Sequence, residues 1–365
     1  METINVNNKE NMMKALIYYG IKDLRLEERE IPECGPNDVI VRNVRAGICG
    51  SDTTAYLHGG ENMNIFSGRE FGHEMVGYVW KKGKMTEEID EGMRVFVEPV
   101  KAVDNPYEAN MAGTFSQYVK VNNAKVGVNI YPLPENISYD EAALIEPLSV
   151  STHAKNRAAV KADEKVLVCR AGPIGLGVIA ALRAQGNKTI AVIDRNEYRL
   201  KCAEEIGAYP ILSVDNDLEK LKYKLENYFG VMSNINHRVD FGEGSVNLTE
   251  HAVLDVDVVF DCAGITSFID EFLLHAKQYS RFCSIAVQRT AFPIRFHEIM
   301  STQCAIIGSR GYEAEDIKEV IDFLANKKTK ASSMISHCFT LEQALEAFEM
   351  NAEPRNSAKI ILNMK

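Results

Sequence analysis

Hydrophobic and polar residues follow two different patterns in the two halves of this chain. From Met13 to Val121 apolar residues alternate with polar ones in short runs, broken by Pro32, Gly35 and Pro36. Residues 14–19, 24–28, 39–44, 75–80, 94–97 and 114–121 read as strands, because alternation with period two suits a sheet with one buried face. Many short strands at short spacing predict a β-rich domain of partly open barrel type. Ser138 is followed three residues later by Glu141, a capping-box pattern, so a helix is expected to start there.

From about residue 165 the strands become continuous apolar runs and alternate with helical stretches. Strands are expected at 165–169, 189–194, 210–214, 256–261, 281–286 and 305–308, and helices at 174–185, 199–206, 218–229 and 268–276. Buried strands alternating with helices predict a doubly wound parallel sheet. Residues 230–250 are polar and read as an irregular surface insertion. Helices at 315–326 and 341–350 and strands at 334–338 and 358–363 are expected to return to the first domain. The expected division is therefore a catalytic domain from 1–147 and 310–365, and a nucleotide-binding domain from 148–309. The fold class is α/β.

The length of 365 residues suits two such domains. The net charge of −10 argues against nucleic acid or an anionic membrane as main partner. No apolar run is long enough for a spanning helix, and residues 1–10 lack the apolar core of a signal peptide, reading as a loose extension. Eight scattered cysteines form no C-x-x-C pair, which points to a reducing, cytoplasmic setting.

The candidate chemistry lies in three segments: Gly47-Ile-Cys-Gly-Ser-Asp52, Gly72-His-Glu74 and Glu146-Pro147. Cys49, His73, Glu74 and Glu146 offer the sulfur, nitrogen and oxygen donors that zinc takes. Taken singly, each has a plainer reading as a core thiol, a satisfied histidine or a solvated carboxylate. Downstream, Arg170-Ala-Gly-Pro-Ile-Gly175 lies between a strand and a helix, as a dinucleotide-binding turn does. Gly172 lets the backbone approach a pyrophosphate, and Gly175 allows close helix–strand packing. Arg170 stands where the first glycine belongs. Asp194, 19 residues after Gly175, ends the next strand. A carboxylate there bonds ribose hydroxyls and repels a 2′-phosphate, favouring NAD; Arg195 beside it leaves NADP open.

These runs in this order, with 306–312 (I-I-G-S-R-G-Y) and Asp316 behind them, resemble the zinc-dependent medium-chain dehydrogenase/reductase family. The likeness spans Met13 to Met364 and is greatest to its polyol branch of sorbitol, butanediol and threonine dehydrogenases. It implies a GroES-like catalytic domain and a Rossmann domain. It makes Cys49 and His73 zinc ligands, and has Glu74 bind the metal or support it. Glu146 binds zinc directly or through its water, and Ser51 takes the alcohol's proton. Cofactor contacts are implied for Gly172, Pro173, Ile174, Gly175, Asp194, Arg199, Cys262 and Ala263. Arg310 and Tyr312 are either pocket or surface residues.

In many relatives a histidine lies five residues after the cysteine; here Thr54 does, with His58 four residues further on. The cysteines that hold a structural zinc in relatives are missing from 98–110, so a single catalytic zinc is expected. The function expected is hydride transfer between a secondary alcohol (polyol, diol or sugar alcohol) or its ketone and NAD, in a homodimer or homotetramer. The alternatives are a family member that has lost turnover and binds nucleotide or regulates, and an NADP-preferring ketone reductase.

Overall fold

The computed structural model describes residues 11–105, 112–213, 218–240, 245–288, 291–353 and 356–365. The extension at 1–10 and part of the shortened segment after Glu98, residues 106–111, lie outside them. The chain divides into two compact units, Met1–Glu146 with Ile335–Lys365, and Pro147–Met334.

The first unit is built on a seven-stranded sheet. Its strands run in the order Ile335–Thr340, Lys359–Asn363, Val39–Gly47, Glu74–Lys82, Arg94–Val97 and Ile130–Pro132, with Tyr118–Val121 also paired to Val39–Gly47. A second sheet joins Met12–Gly20 to Asp23–Glu30 and Arg69–Glu70. Alternating apolar residues point inward, as the period-two pattern demands, and fill three cores, the smallest around Met13, Ala15, Ile17, Ile31 and Ile40. One is aromatic: Tyr18, Phe71, Phe115 and Phe348 meet mostly edge to face, with the Phe71 and Phe115 centroids 4.8 Å apart. Another is aliphatic, around Val39, Val41, Met75, Val95 and Val121.

Two registers position the chemistry. Gly47 pairs with Glu74, and Ile361 pairs antiparallel with Gly47. Ile48 N continues the second ladder to Ile360 O, so the next step of that register brings Lys359 level with Cys49. The helix Gly50–His58 then begins with Cys49 as its N-cap.

The second unit is a six-stranded parallel sheet. Its order is Tyr209–Leu212, Ile190–Asp194, Val166–Cys169, Val258–Asp261, Arg281–Ser284 and Ala305–Gly308. Numbered along the chain this is 3-2-1-4-5-6, a dinucleotide-binding order, and the sheet is doubly wound and parallel as the sequence predicts. Phe260, Val168 and Val192 are fully buried in it.

Two features differ from expectation. Residues 231–254 are regular: Val231–Asp240 pairs with Ser245–Leu254 as a long antiparallel hairpin. The sequence holds its signal, partial alternation within 231–240 and 245–254, masked by overall polarity. The helix Ala314–Ala325 belongs to the second unit, which ends at Met334 and not near 309. Polar bonds hold it there. Asp316 bonds His153 Nδ1 at 2.7 Å and accepts from Asn156 Nδ2 at 2.8 Å, and Lys155 pairs with Glu319 at 2.5 Å.

Candidate active site

Cys49, His73 and Glu74 come together in the first unit. One donor atom from each lies within 4.8 Å of the others, the only such metal-binding group among the described residues. Cys49 is half-buried at the N-terminus of the helix, where it is the N-cap. His73 follows Gly72, whose φ of +95° is open to glycine at little cost; a Cβ there would also press on Phe115 and Thr114. Glu74 opens its strand and is fully buried.

Two residues that sequence reasoning did not assign complete the cluster. Asp52 is fully buried; its Oδ2 accepts from Cys49 N at 2.9 Å, and its Oδ1 lies 3.6 Å from His73 Nδ1. Its signal was present, since it ends the run at Gly47–Asp52 in the position of an N-cap partner. Lys359 is only 1% exposed. Its ammonium pairs with Glu74 Oε2 and donates to Ile48 O at 3.0 Å. A Cβ at Gly47 would overlap that Glu74 oxygen and crowd Lys359 Cε, which explains the glycine there.

Burial and close charges oppose each other in this cluster. Burial disfavours a charged His73, yet Asp52, Cys49 and Glu146 outweigh it and hold the imidazole well above its ordinary pKa. It disfavours a charged Lys359 too, and Glu74, Cys49 and Glu146 again prevail and raise the pKa. Burial raises the Asp52 pKa against the pull of His73. Glu146, 8% exposed in the first turn of the helix Ile145–Arg157, is pushed up to about 7 by burial, with His73 opposing. Glu146 is outside the close group of three, but near enough for its charge to act on His73.

This set fits a zinc ion. Sulfur, nitrogen and oxygen donors are its ordinary ligands. Glu74 Oε1 and Asp52 Oδ1 are buried with no hydrogen-bond partner, and such atoms normally find one. Acids gathered around an imidazole, with Lys359 set against them, leave a place for a cation.

Ser51 is half-buried in the first turn of the helix, two residues from Cys49. Thr54 Oγ1 donates to Gly50 O at 2.8 Å, so that hydroxyl serves its own helix. His58 is exposed at the far end of the helix, and nine residues from Cys49 is about 13 Å of helical rise.

The nucleotide turn lies in the second unit. Arg170 adopts φ +87°, the left-handed conformation a glycine would take, and its N–H donates to Ile193 O at 2.8 Å. Gly172 is the N-cap of the helix Pro173–Gln185, Pro173 is its first residue and Ile174 follows. A Cβ at Gly175 would overlap Arg170 O, so this glycine sets the close packing of turn and helix. Asp194 accepts from Ala171 N at 2.7 Å and from Asn196 N at 2.8 Å. Arg199 is 8% exposed; burial lowers its pKa against the pull of Asp194. Cys262 follows the strand Val258–Asp261 and bonds Cys169 O through its N–H; burial keeps it a thiol. Ala263 N donates to Asp261 Oδ1 at 2.9 Å. Among the described residues no helix is long and apolar enough to cross a membrane.

Comparison with known proteins agrees with both units. Residues 35–135 match the alcohol dehydrogenase GroES-like domain, and residues 173–326 match the zinc-binding dehydrogenase domain. Sorbitol dehydrogenase of Bos taurus is 30% identical over 92% of this chain and 92% of its own. The solved 2R,3R-butanediol dehydrogenase of Bacillus subtilis superposes with a TM-score of 0.79 at 24% identity, covering 97% of this chain and 100% of that one. An Escherichia coli CFT073 protein described as a short chain alcohol dehydrogenase, complexed with NADH, gives 0.78 at 24% identity over 97% and 99% of the two chains. A cysteine–histidine–carboxylate cluster in one unit, a dinucleotide-type sheet in the other, and full-length likeness to a polyol dehydrogenase lead to one conclusion: this enzyme belongs to the zinc-dependent medium-chain alcohol dehydrogenase family, in its polyol branch.

Proposed function

We propose that the enzyme moves a hydride between the carbinol carbon of a polyol, diol or sugar alcohol and NAD, using one zinc ion. The observation that carries this reading is the meeting of Cys49, His73 and Glu74 with Glu74 Oε1 left unpaired. Those three residues would hold the ion, with Glu146 beside them. Zinc bound there supplies a Lewis acid that lowers the pKa of an alcohol. Asp52 orients His73 and steadies the Cys49 backbone. Ser51 takes the alcohol's proton and passes it outward without help from Thr54, whose hydroxyl is engaged.

Asp194 favours NAD because its carboxylate would repel a 2′-phosphate. The NADH in the E. coli relative's structure supports a nicotinamide cofactor. A single zinc is favoured by the segment after Glu98. There Glu98 accepts from Lys101 N at 2.6 Å, and Asn129 Nδ2 donates to Lys101 O and Asn122 O at 3.0 Å, so hydrogen bonds tie the described part of the loop. A cytoplasmic homodimer or homotetramer is favoured by the scattered thiols and by the edge strand Ala305–Gly308, where Ile306 is exposed, as are Phe296 and Met300 nearby in sequence.

The deciding experiment follows NADH formation across diols, polyols and amino alcohols, with zinc quantified in the same preparation. NADP and the reverse reaction are run alongside, and light scattering gives the assembly. Absence of both metal and alcohol-dependent NADH would sink the reading.

A further inference from the structure

Lys359 has no place in the reaction as described, yet it is buried against the metal-site residues. It comes from the last strand, 285 residues after Glu74. Its ammonium is set by two contacts, Ile48 O at 3.0 Å and Glu74 Oε2. The two carboxylate oxygens of Glu74 therefore differ. Both are buried without an ordinary hydrogen-bond partner, but the ion pair with the Lys359 ammonium runs through Oε2. Gly47 keeps the space that this pairing needs.

We propose that Lys359 is a positioning residue that reserves one oxygen of Glu74, so that the carboxylate gives the metal only its other oxygen. This rests on the zinc reading above. A carboxylate can ligate through one oxygen or two, and a catalytic zinc must keep a position open for substrate. With Lys359 in place, Oε2 is engaged and Oε1 remains. Without it, Oε2 is buried beside a cation with no other charge to answer, and both oxygens turn to the metal. The loss of a neighbouring positive charge acts in the same direction. Removing Lys359 thus tightens the metal and fills the open position. A residue that merely oriented a ligand would behave oppositely, and its loss would weaken the metal by roughly 10–100-fold.

The test uses the full chain loaded with cobalt(II), whose visible absorption reports coordination number, and release of zinc to a chelator. Lys359→Met is expected to release zinc about tenfold more slowly, on the scale at which outer partners act, and to show the weaker absorption of a higher coordination number. Lys359→Arg, which still offers a cation to Oε2, is expected to keep the wild-type spectrum. Faster release from Lys359→Met, or an unchanged spectrum, overturns the proposal. Should Lys359→Met not fold, Glu74→Gln decides independently: zinc is expected to be lost, and unchanged retention overturns the proposal because Glu74 is then no ligand. A wild-type protein that takes up neither ion instead defeats the zinc reading itself.

Discussion

The two functional regions are built from different material. In the first unit the site consists of side chains: a thiol, an imidazole, carboxylates and an ammonium, buried together at the ends of paired strands. In the second unit the turn is shaped by backbone, where one position needs a left-handed φ, another needs room, and a helix begins. Chemistry carried by side chains depends on residue identity. A turn made by backbone depends on conformation, and a non-glycine residue can serve when the surrounding bonds hold it there. Arg170 is that case, pinned through its N–H to Ile193 O.

This contrast sets an order of expected effects. Cys49→Ala should abolish zinc retention and lower alcohol-dependent turnover by about a thousandfold or more, roughly 4 kcal/mol of barrier. Metal analysis with steady-state kinetics checks it, and retained zinc with full activity would remove Cys49 from the side-chain site. Asp194→Ala removes the charge that would oppose a 2′-phosphate. The ratio of kcat/KM for NAD over NADP should fall by about 10–100-fold. An unchanged ratio would mean that Asp194 serves only the turn, through Ala171 and Asn196.

Gly72→Ala tests whether backbone geometry also matters in the first unit. With φ at +95° and Phe115 and Thr114 against the new methyl, a loss of about 1–3 kcal/mol is expected by denaturant unfolding. Arg170→Gly should act the other way. Relief of a left-handed residue gives about 1–2 kcal/mol, and glycine's extra chain entropy cancels about half. A net gain of roughly 0.5–1 kcal/mol is expected as a higher urea midpoint. If NAD affinity changes more than stability does, the Arg170 side chain has a binding role and the contrast between the units weakens.

The smallest effect concerns the ionic cluster at the other end of the second unit's sheet. Burial alone would raise the Asp255 pKa, but Lys165 and Lys277, each at 2.6 Å, hold it below its ordinary 3.8. A carboxylate lowered in the folded state stabilises above its unfolded pKa and ceases to as pH falls through the folded value. Asp255→Asn should flatten the acid side of the stability profile below about pH 4, measured by thermal unfolding across pH.

Much of this was legible before any coordinates. Apolar runs alternating with helical stretches implied the parallel sheet, and the strands of the first domain followed from alternation. Cys49, His73, Glu74 and Glu146 stood out as donor types zinc takes, and the family resemblance joined them into one candidate site. The hairpin at 231–254 was not legible, because the high polar content of that stretch hides the period-two signal. Nor was the end of the second unit at Met334, which depends on Asp316 and Glu319 meeting His153, Lys155 and Asn156 more than 150 positions away.

By itself the sequence determined the local elements, the alternation that makes one domain β-rich and the other doubly wound, and the chemical kinds of donor on offer. These depend on neighbours within one helical turn or one strand. Only the tertiary structure decided that Lys359 answers Glu74, that Asp52 lies against His73, that Glu146 stands outside the close group of three, and that Gly47 exists to leave room. Those outcomes depend on strand register between distant segments and on the cost of taking charge out of water, and neither is written in any short stretch of the chain.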